Sequence, residues 1–249
     1  MQHDSQIAGW LSEAQQAVAF TGAGISTESG IPDFRSPGGI WTKYRTVYYH
    51  EFLESAEARH EYWRQKAEGQ LDFSRAKPNV GHQTLAGWED GGRLAAVITQ
   101  NIDGLHAQAG SRRVLELHGT AREVACLDCR ARYDADEMVS RFQQSGVVPV
   151  CPACGSELMK HATISFGQSL PADVLQEAFA LSRRAELFLA IGSSLVVEPA
   201  ASLPRAAKES GARLVIINRD PTPLDAIADL VLHEPIGATL AAIDAHLSA

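Results

Sequence analysis

Short apolar runs constrain this chain more than any other feature. Ala17–Phe20, Leu94–Thr99, Leu187–Ile191, Leu214–Ile217 and Asp229–Leu232 are apolar almost throughout. They lack the alternation that a solvated face would impose, so they suit strands buried on both sides of a parallel sheet. Helical spacing lies between them. Ile7, Leu11 and Ala14 share a face before the first run, and residues 51–68 are rich in helix formers. Val174, Leu175, Ala178 and Leu181 repeat at helical spacing after Pro171, Pro199 and Pro204 bracket a short helical stretch, and Gly237–Leu247 forms a last helix. Alternating strands and helices imply an α/β fold with a Rossmann-like, doubly wound parallel sheet.

The rhythm breaks twice. Residues 34–79 form a helical insertion with many aromatic residues, and residues 121–160 form a polar, turn-rich module around one helix, Asp134–Gln144. The large domain is then assembled from 1–33, 80–120 and 161–249. The four cysteines form two pairs in the second insertion, Cys126-x-x-Cys129 and Cys151-x-x-Cys154. Four thiolates give zinc a closed tetrahedral shell with no place for a reacting water, so the expected metal is structural.

Composition excludes some classes. Apolar residues make up 45% and charged residues 21%, the balance of a globular chain rather than a disordered one. No run approaches the roughly 20 residues of a membrane helix. The start, Met1-Gln2-His3-Asp4-Ser5, has no basic and apolar signal, so a cytoplasmic location is expected. A net charge of −8 argues against nucleic acid and suits basic partners, although solubility alone would also explain it.

Each apolar run ends in small or polar residues: Gly22-Ala23-Gly24, Gln100-Asn101-Ile102-Asp103, Gly192-Ser193-Ser194 and Asn218-Arg219-Asp220. Ligands of open α/β sheets bind beyond the carboxyl ends of the strands, so four such ends point to one dinucleotide cleft. The glycine turn alone is a weak signal, because Thr27 stands where the fingerprint has its third glycine. His118, followed by Gly119, lies at a strand end where a neutral imidazole could act as base; a structural role is the plainer alternative.

Taken in order, the segments 21–26, 30–35, 99–103 and 117–119, the cysteine pairs, 166–167, 192–195 and 217–218 resemble the sirtuins, above all the compact bacterial ones. The resemblance covers nearly the whole chain. It implies an NAD-dependent protein-lysine deacylase that turns acyl-lysine and NAD into lysine, nicotinamide and O-acyl-ADP-ribose. It implies His118 as base, Asn101 orienting the ribose, and Asp103 orienting the nicotinamide amide. Gly22, Ala23, Gly24 and Ser26 would hold phosphates. Asp33, Phe34 and Arg35 would form a loop over the cofactor. Gln100, Ile102, Gly192, Ser193, Ser194, Asn218, Arg219, Asp220 and Ile236 would complete the NAD site. An acylated protein segment would enter extended, between Phe166-Gly167-Gln168 and Leu195-Val196-Val197, with Ile164 beside it.

Departures from the family pattern are informative. Lys160-His161 stands where Arg-Pro is commoner, Ser165 replaces a bulkier residue, and Gln168 replaces a glutamate. Trp63 and Lys66 align with a Tyr and an Arg that mark sirtuins preferring succinyl or malonyl groups. Lys66 lacks the fork of arginine, which favours acetyl or another neutral acyl group. Trp41–Arg45 adds aromatic and basic groups near the cofactor loop. A mono-ADP-ribosyltransferase, a non-catalytic NAD sensor, a nucleic-acid-binding zinc ribbon and an NAD dehydrogenase are the alternatives.

Overall fold

The computed structural model describes residues 2–33 and 44–247. Phe34 and Arg35 of the expected cofactor loop, with Trp41, Thr42 and Lys43, lie outside the described residues. In chain order the strands are β1 (Ala17–Thr21), β2 (Ala96–Thr99), β3 (Val114–Glu116), β4 (Gly119–Cys126), β5 (Arg132–Asp134), β6 (Met159–Thr163), β7 (Leu187–Ile191), β8 (Arg213–Ile217) and β9 (Leu230–Leu232). The α-helices are α1 (Gln2–Glu13), α2 (Tyr49–Glu54), α3 (Ala56–Arg75), α4 (Val80–Asp90), α5 (Leu105–Gln108), α6 (Ala135–Ser145), α7 (Ala172–Arg184), α8 (Ser202–Glu209) and α9 (Ile236–Leu247).

Six strands form a parallel sheet in the order β3-β2-β1-β7-β8-β9. Both faces are covered, as the unbroken apolar runs require. Side chains alternate along β1: Ala17 and Ala19 face one core with Ile7, Leu11, Trp88 and Leu240, while Val18 and Phe20 face another with Ala178, Leu181 and Leu203. Burying a side chain such as Phe20 contributes about 1.5–3 kcal/mol. The order reverses between β1 and β7, which opens a crevice at their carboxyl ends.

The helical stretch 51–68 is two helices. Ser55 separates them, and its side-chain oxygen caps α3 by accepting from the Ala58 amide at 3.1 Å. Pro204 does not bound a helix but sits in the first turn of α8, where its missing N–H costs nothing. The cysteine-bearing module contains more than a helix: β5, β4 and β6 form an antiparallel sheet in that order. Strands β4 and β5 are only partly buried, and the buried β6 carries Lys160 and His161, so no apolar run announced them.

The two insertions share one core. Val124, Met138, Phe142 and Met159 from the cysteine module pack with Phe52, Tyr62, Trp63 and Ala67 from α2 and α3. The indole N–H of Trp63 donates to the Met159 carbonyl at 2.8 Å, and its ring lies 5.9 Å from that of Phe142.

Candidate active site

The site is assembled where β1 and β7 end side by side. Gly22 N–H donates to Ile191 O at 3.0 Å, and Gly24 N–H to Gly192 O at 2.8 Å. A Cβ on Gly24 would stand 2.7 Å from Gly192 Cα. One on Gly192, whose φ is +64°, would stand 2.5 Å from Ile25 N. The glycines are therefore demanded first by one strand end pressing on another, before any phosphate is considered. The turn runs into a 3-10 helix, Ala23–Ser29, rather than an α-helix.

Below this turn three polar groups are locked together. Ser26 Oγ donates to Asp103 Oδ2 at 2.7 Å, and Asn101 Nδ2 donates to Ser26 Oγ at 3.1 Å and to Gly22 O at 3.2 Å. Asp103 Oδ1 accepts from the Leu105 amide at 2.9 Å. All three residues are buried. Buried polar groups at this density need such mutual satisfaction, and the result is a fixed orientation for Asn101 at the cleft wall. Two histidines lie underneath. His106 Nε2 meets Thr21 Oγ1 at 2.9 Å, and its ring centroid is 4.8 Å from that of His82. Burial drives His106 down to about 3, so it stays neutral.

His118 follows β3. Its Nδ1 lies 2.9 Å from the Gln100 carbonyl, an acceptor, so this nitrogen carries the proton and Nε2 is left as a base. Burial lowers its pKa, outweighing the carbonyl bond. Gly119 lets the chain turn: its φ is +68°, and a Cβ there would lie 2.0 Å from Ala162 O on β6. The Ile164 amide then donates to His118 O at 2.9 Å. This ties the inserted sheet to the base. Nearby Glu116 is pushed up to about 7, first by burial and then by Asp103.

One cleft of about 840 Å³ gathers these groups. Gly22, Ala23, Gly24, Asp33, Gln100, Asn101, Ile102, His118, Gly192, Ser193 and Ser194 line it, as do Asn218, Arg219, Asp220 and Ile236 farther along. Ser193 Oγ donates to Gln100 Oε1 at 2.7 Å, which leaves the Gln100 amide nitrogen for a ligand. Of the expected peptide residues, Ile164, Phe166, Gly167, Gln168 and Val197 line the cleft, with Lys66 at the same end. Ser26 and Asp103 stand behind the wall rather than on it. Leu195 is buried and Val196 is exposed, and neither lines the cleft. Trp63, expected beside Lys66 in the acyl pocket, is fully buried in the core shared by the insertions. Tyr62 takes the place at the wall. Its spacing of four residues from Lys66, one helical turn, was the signal that would have found it. Thr163 and His161 at this end, and His233 at the other, were also unforeseen.

A Sir2 family model matches residues 22–199. The NAD-dependent protein deacetylase 1 of Bradyrhizobium diazoefficiens is 53% identical over 232 residues, 92% of this chain and 91% of its own. The NAD-dependent protein deacylase 2 of Archaeoglobus fulgidus is 44% identical and is covered to 90%, over 92% of this chain. A Sir2 structure with a deacetylated p53 peptide and 3'-O-acetyl-ADP-ribose superposes with a TM-score of 0.88 at 43% identity, covering 96% of both chains.

The chain belongs to the Sir2 family.

This sirtuin also gathers its four cysteines into one cluster, and the geometry fits zinc. The four Sγ atoms lie within 4.8 Å of one another. Cys126 and Cys154 are 3.7 Å apart at sulfur, and Cys129 and Cys151 are 3.6 Å apart. A tetrahedron with Zn–S near 2.3 Å has edges of about 3.8 Å. With four sulfurs no coordination site would remain for water, so a zinc ion held by Cys126, Cys129, Cys151 and Cys154 would brace the β4–β6 module and would take no part in catalysis. A cleft floored by glycine backbone, walled by amides and hydroxyls, and placed at the strand-order reversal fits NAD in the same way.

Proposed function

We propose that this sirtuin removes acyl groups from protein lysines at the expense of NAD, with His118 as general base. The observation that carries the reading is the His118 imidazole. Its proton is held on Nδ1 by the Gln100 carbonyl, which leaves Nε2 as the base, and both His118 and Asn101 line the cleft. Acyl-lysine, NAD and water would give lysine, nicotinamide and O-acyl-ADP-ribose. NAD, when bound, supplies the electrophilic ribose carbon and the hydroxyl that receives the acyl group. The residues supply position and proton transfer. Gly22, Ala23, Gly24 and Ser193 offer close backbone and hydroxyl contacts for phosphates, and Asn218, Arg219, Asp220 and Ile236 border the adenosine end. Asn101, fixed by Ser26, would orient the ribose. Asp103 would act from behind the wall by holding Ser26 and the Leu105 turn, and Asp33 would border the cofactor. His118 Nε2 would take the proton from a ribose hydroxyl.

An acyl-lysine segment would lie extended across Ile164, Phe166-Gly167-Gln168 and Val197, pairing by its backbone. Fixing the acyl oxygen against the ribose carbon is a problem of positioning, worth several kcal/mol of barrier. The large domain (1–33, 80–120, 161–249) would hold the cofactor, and the insertions (34–79, 121–160) would frame the acyl group. No described helix is long and apolar enough to cross a membrane. We read the chain as cytoplasmic because its four cysteines gather as a metal-type cluster rather than as disulfides, the usage expected of a reducing compartment.

Mass spectrometry of an acetyl-lysine peptide, with and without NAD, is the test. Free lysine and O-acetyl-ADP-ribose should appear with NAD, and His118→Ala should cut the rate by about 10²–10⁴-fold. Modified protein in place of O-acetyl-ADP-ribose would instead mean ADP-ribosyl transfer.

A further inference from the structure

Lys160 and Gln168, two of the positions that depart from the family pattern, meet in the fold. Ser165–Gln168 is a tight turn. The Gln168 amide donates to Ser165 O at 3.0 Å, and Gly167, at φ +85°, fills the third place, which calls for a left-handed residue. The Gln168 side chain closes the same turn, because its Oε1 accepts from the Ser165 amide at 3.1 Å. That oxygen also faces Lys160. The lysine Nζ donates to it at 3.4 Å, to the His161 carbonyl at 3.2 Å and to the Thr163 carbonyl. Lys160 is 1% exposed and does not line the cleft, whereas every residue from Thr163 to Gln168 does. The lysine stands behind the wall and ties the end of β6 to the turn that follows it.

A buried ammonium destabilises a core unless it is answered. No carboxylate pairs with Lys160 among the described residues, and burial, followed by the charge of Lys66, lowers its pKa to about 7. An apolar side chain of the same length would fill the space at no electrostatic cost. What the ammonium adds is three donors for three oxygens, all of them on residues 161–168. Two further bonds fix this segment. The Ile164 amide donates to His118 O at 2.9 Å, and the Tyr49 amide, at the start of α2, donates to Phe166 O at 2.9 Å. The wall is thus held from three sides before any ligand arrives. An edge that is already ordered loses less entropy when an extended segment pairs with it.

We propose that Lys160 and Gln168 are positioning residues for the acyl-lysine segment, clamping residues 163–168 in the shape that pairs with it. Lys160 acts only through the wall, because its donors are turned onto the protein's own oxygens. Gln168 reaches the cleft, but its side-chain oxygen is engaged by Ser165 and Lys160. The inference rests on the deacylase reading for the identity of the peptide. It concerns the grip on that peptide and not the proton transfer at His118.

The experiment uses the full zinc-loaded chain at about pH 6.5, where the Lys160 ammonium is charged. Calorimetry measures binding of a peptide that carries one acetyl-lysine and, separately, of NAD. Lys160→Met keeps the apolar stem and loses the donors. It should weaken peptide binding about tenfold and leave NAD binding within about twofold. Gln168→Leu should do the same, and the double variant should be no weaker than the weaker single one, because both break one clamp. Gln168→Glu keeps the acceptor and should keep the affinity. In turnover the loss should appear in KM for the peptide, with kcat retained. Unchanged peptide binding in Lys160→Met overturns the proposal. So do losses that add in the double variant, or that fall equally on NAD. The expected binding pattern without turnover of any acyl peptide sinks the deacylase reading alone. Turnover with an unaltered peptide KM in Lys160→Met sinks this inference alone.

Discussion

The cofactor end of the cleft is built from backbone, and the acyl end from side chains. At the first, Gly22, Gly24 and Gly192 let strand ends touch, and Ser26, Asn101 and Asp103 are bound into the framework by mutual hydrogen bonds. At the second, Tyr62 and Lys66 project from α3 and His161 from β6, and the Tyr62 hydroxyl and both His161 nitrogens have no hydrogen-bond partner among the described residues. A site made of satisfied backbone can serve one cosubstrate without adjustment. A site made of unsatisfied side chains can be retuned by substitution without disturbing the sheet.

Removing zinc should show this division most sharply. Cys126→Ala, or a strong chelator, removes an apparent contribution of about 10–16 kcal/mol for such sites and should unfold β4–β6 together with α3, since they share a core. The parallel sheet should persist. Proteolysis that leaves the insertions intact in the variant would break the claim that they are one unit. Next comes Trp63→Ala, expected to cost about 3–5 kcal/mol in urea unfolding because it empties that shared core and orphans the Met159 carbonyl. A cost under about 1 kcal/mol would return Trp63 to the pocket wall.

Gly192→Ala probes the other end. A side chain at φ +64° facing Ile25 N at 2.5 Å should cost about 3 kcal/mol and weaken NAD binding, while leaving zinc content unchanged. The smallest effect is acid sensitivity at the same end. His106 has its pKa held at about 3 against an ordinary 6.5, so the unfolded chain binds a proton that the folded chain refuses. Stability from this group is whole above about pH 6.5 and falls with pH, by about 2 kcal/mol at pH 5. The loss continues toward pH 3. In His106→Asn that part of the slope should vanish, and an unchanged slope would assign the acid sensitivity to other groups.

Much of this was legible in the sequence. The runs at Leu187–Ile191 and Leu214–Ile217 became β7 and β8, because a strand buried on both faces must be apolar at every position. The polar strand ends converged on one cleft because a parallel sheet brings all its carboxyl ends to one edge. The cysteine pairs met because two Cys-x-x-Cys pairs together make one tetrahedral metal shell. These are local signals, and each carries its own physical reason.

The tertiary structure alone decided the rest. Strands β4 and β5 are partly exposed and β6 is buried but carries Lys160 and His161, so no apolar run marks them and their pairing is set by partners far away in the chain. Trp63 and Tyr62 are adjacent, and a rotation of one helical position determines which one is core and which is wall. That rotation is fixed by the Trp63 bond to Met159 O, a contact across 96 residues that no local pattern contains. The same holds for His161, whose sequence neighbours say nothing of Tyr62, Trp63 and Lys66 around it. Sequence periodicity reports the side a residue faces within its own element, but only packing between elements decides what stands opposite.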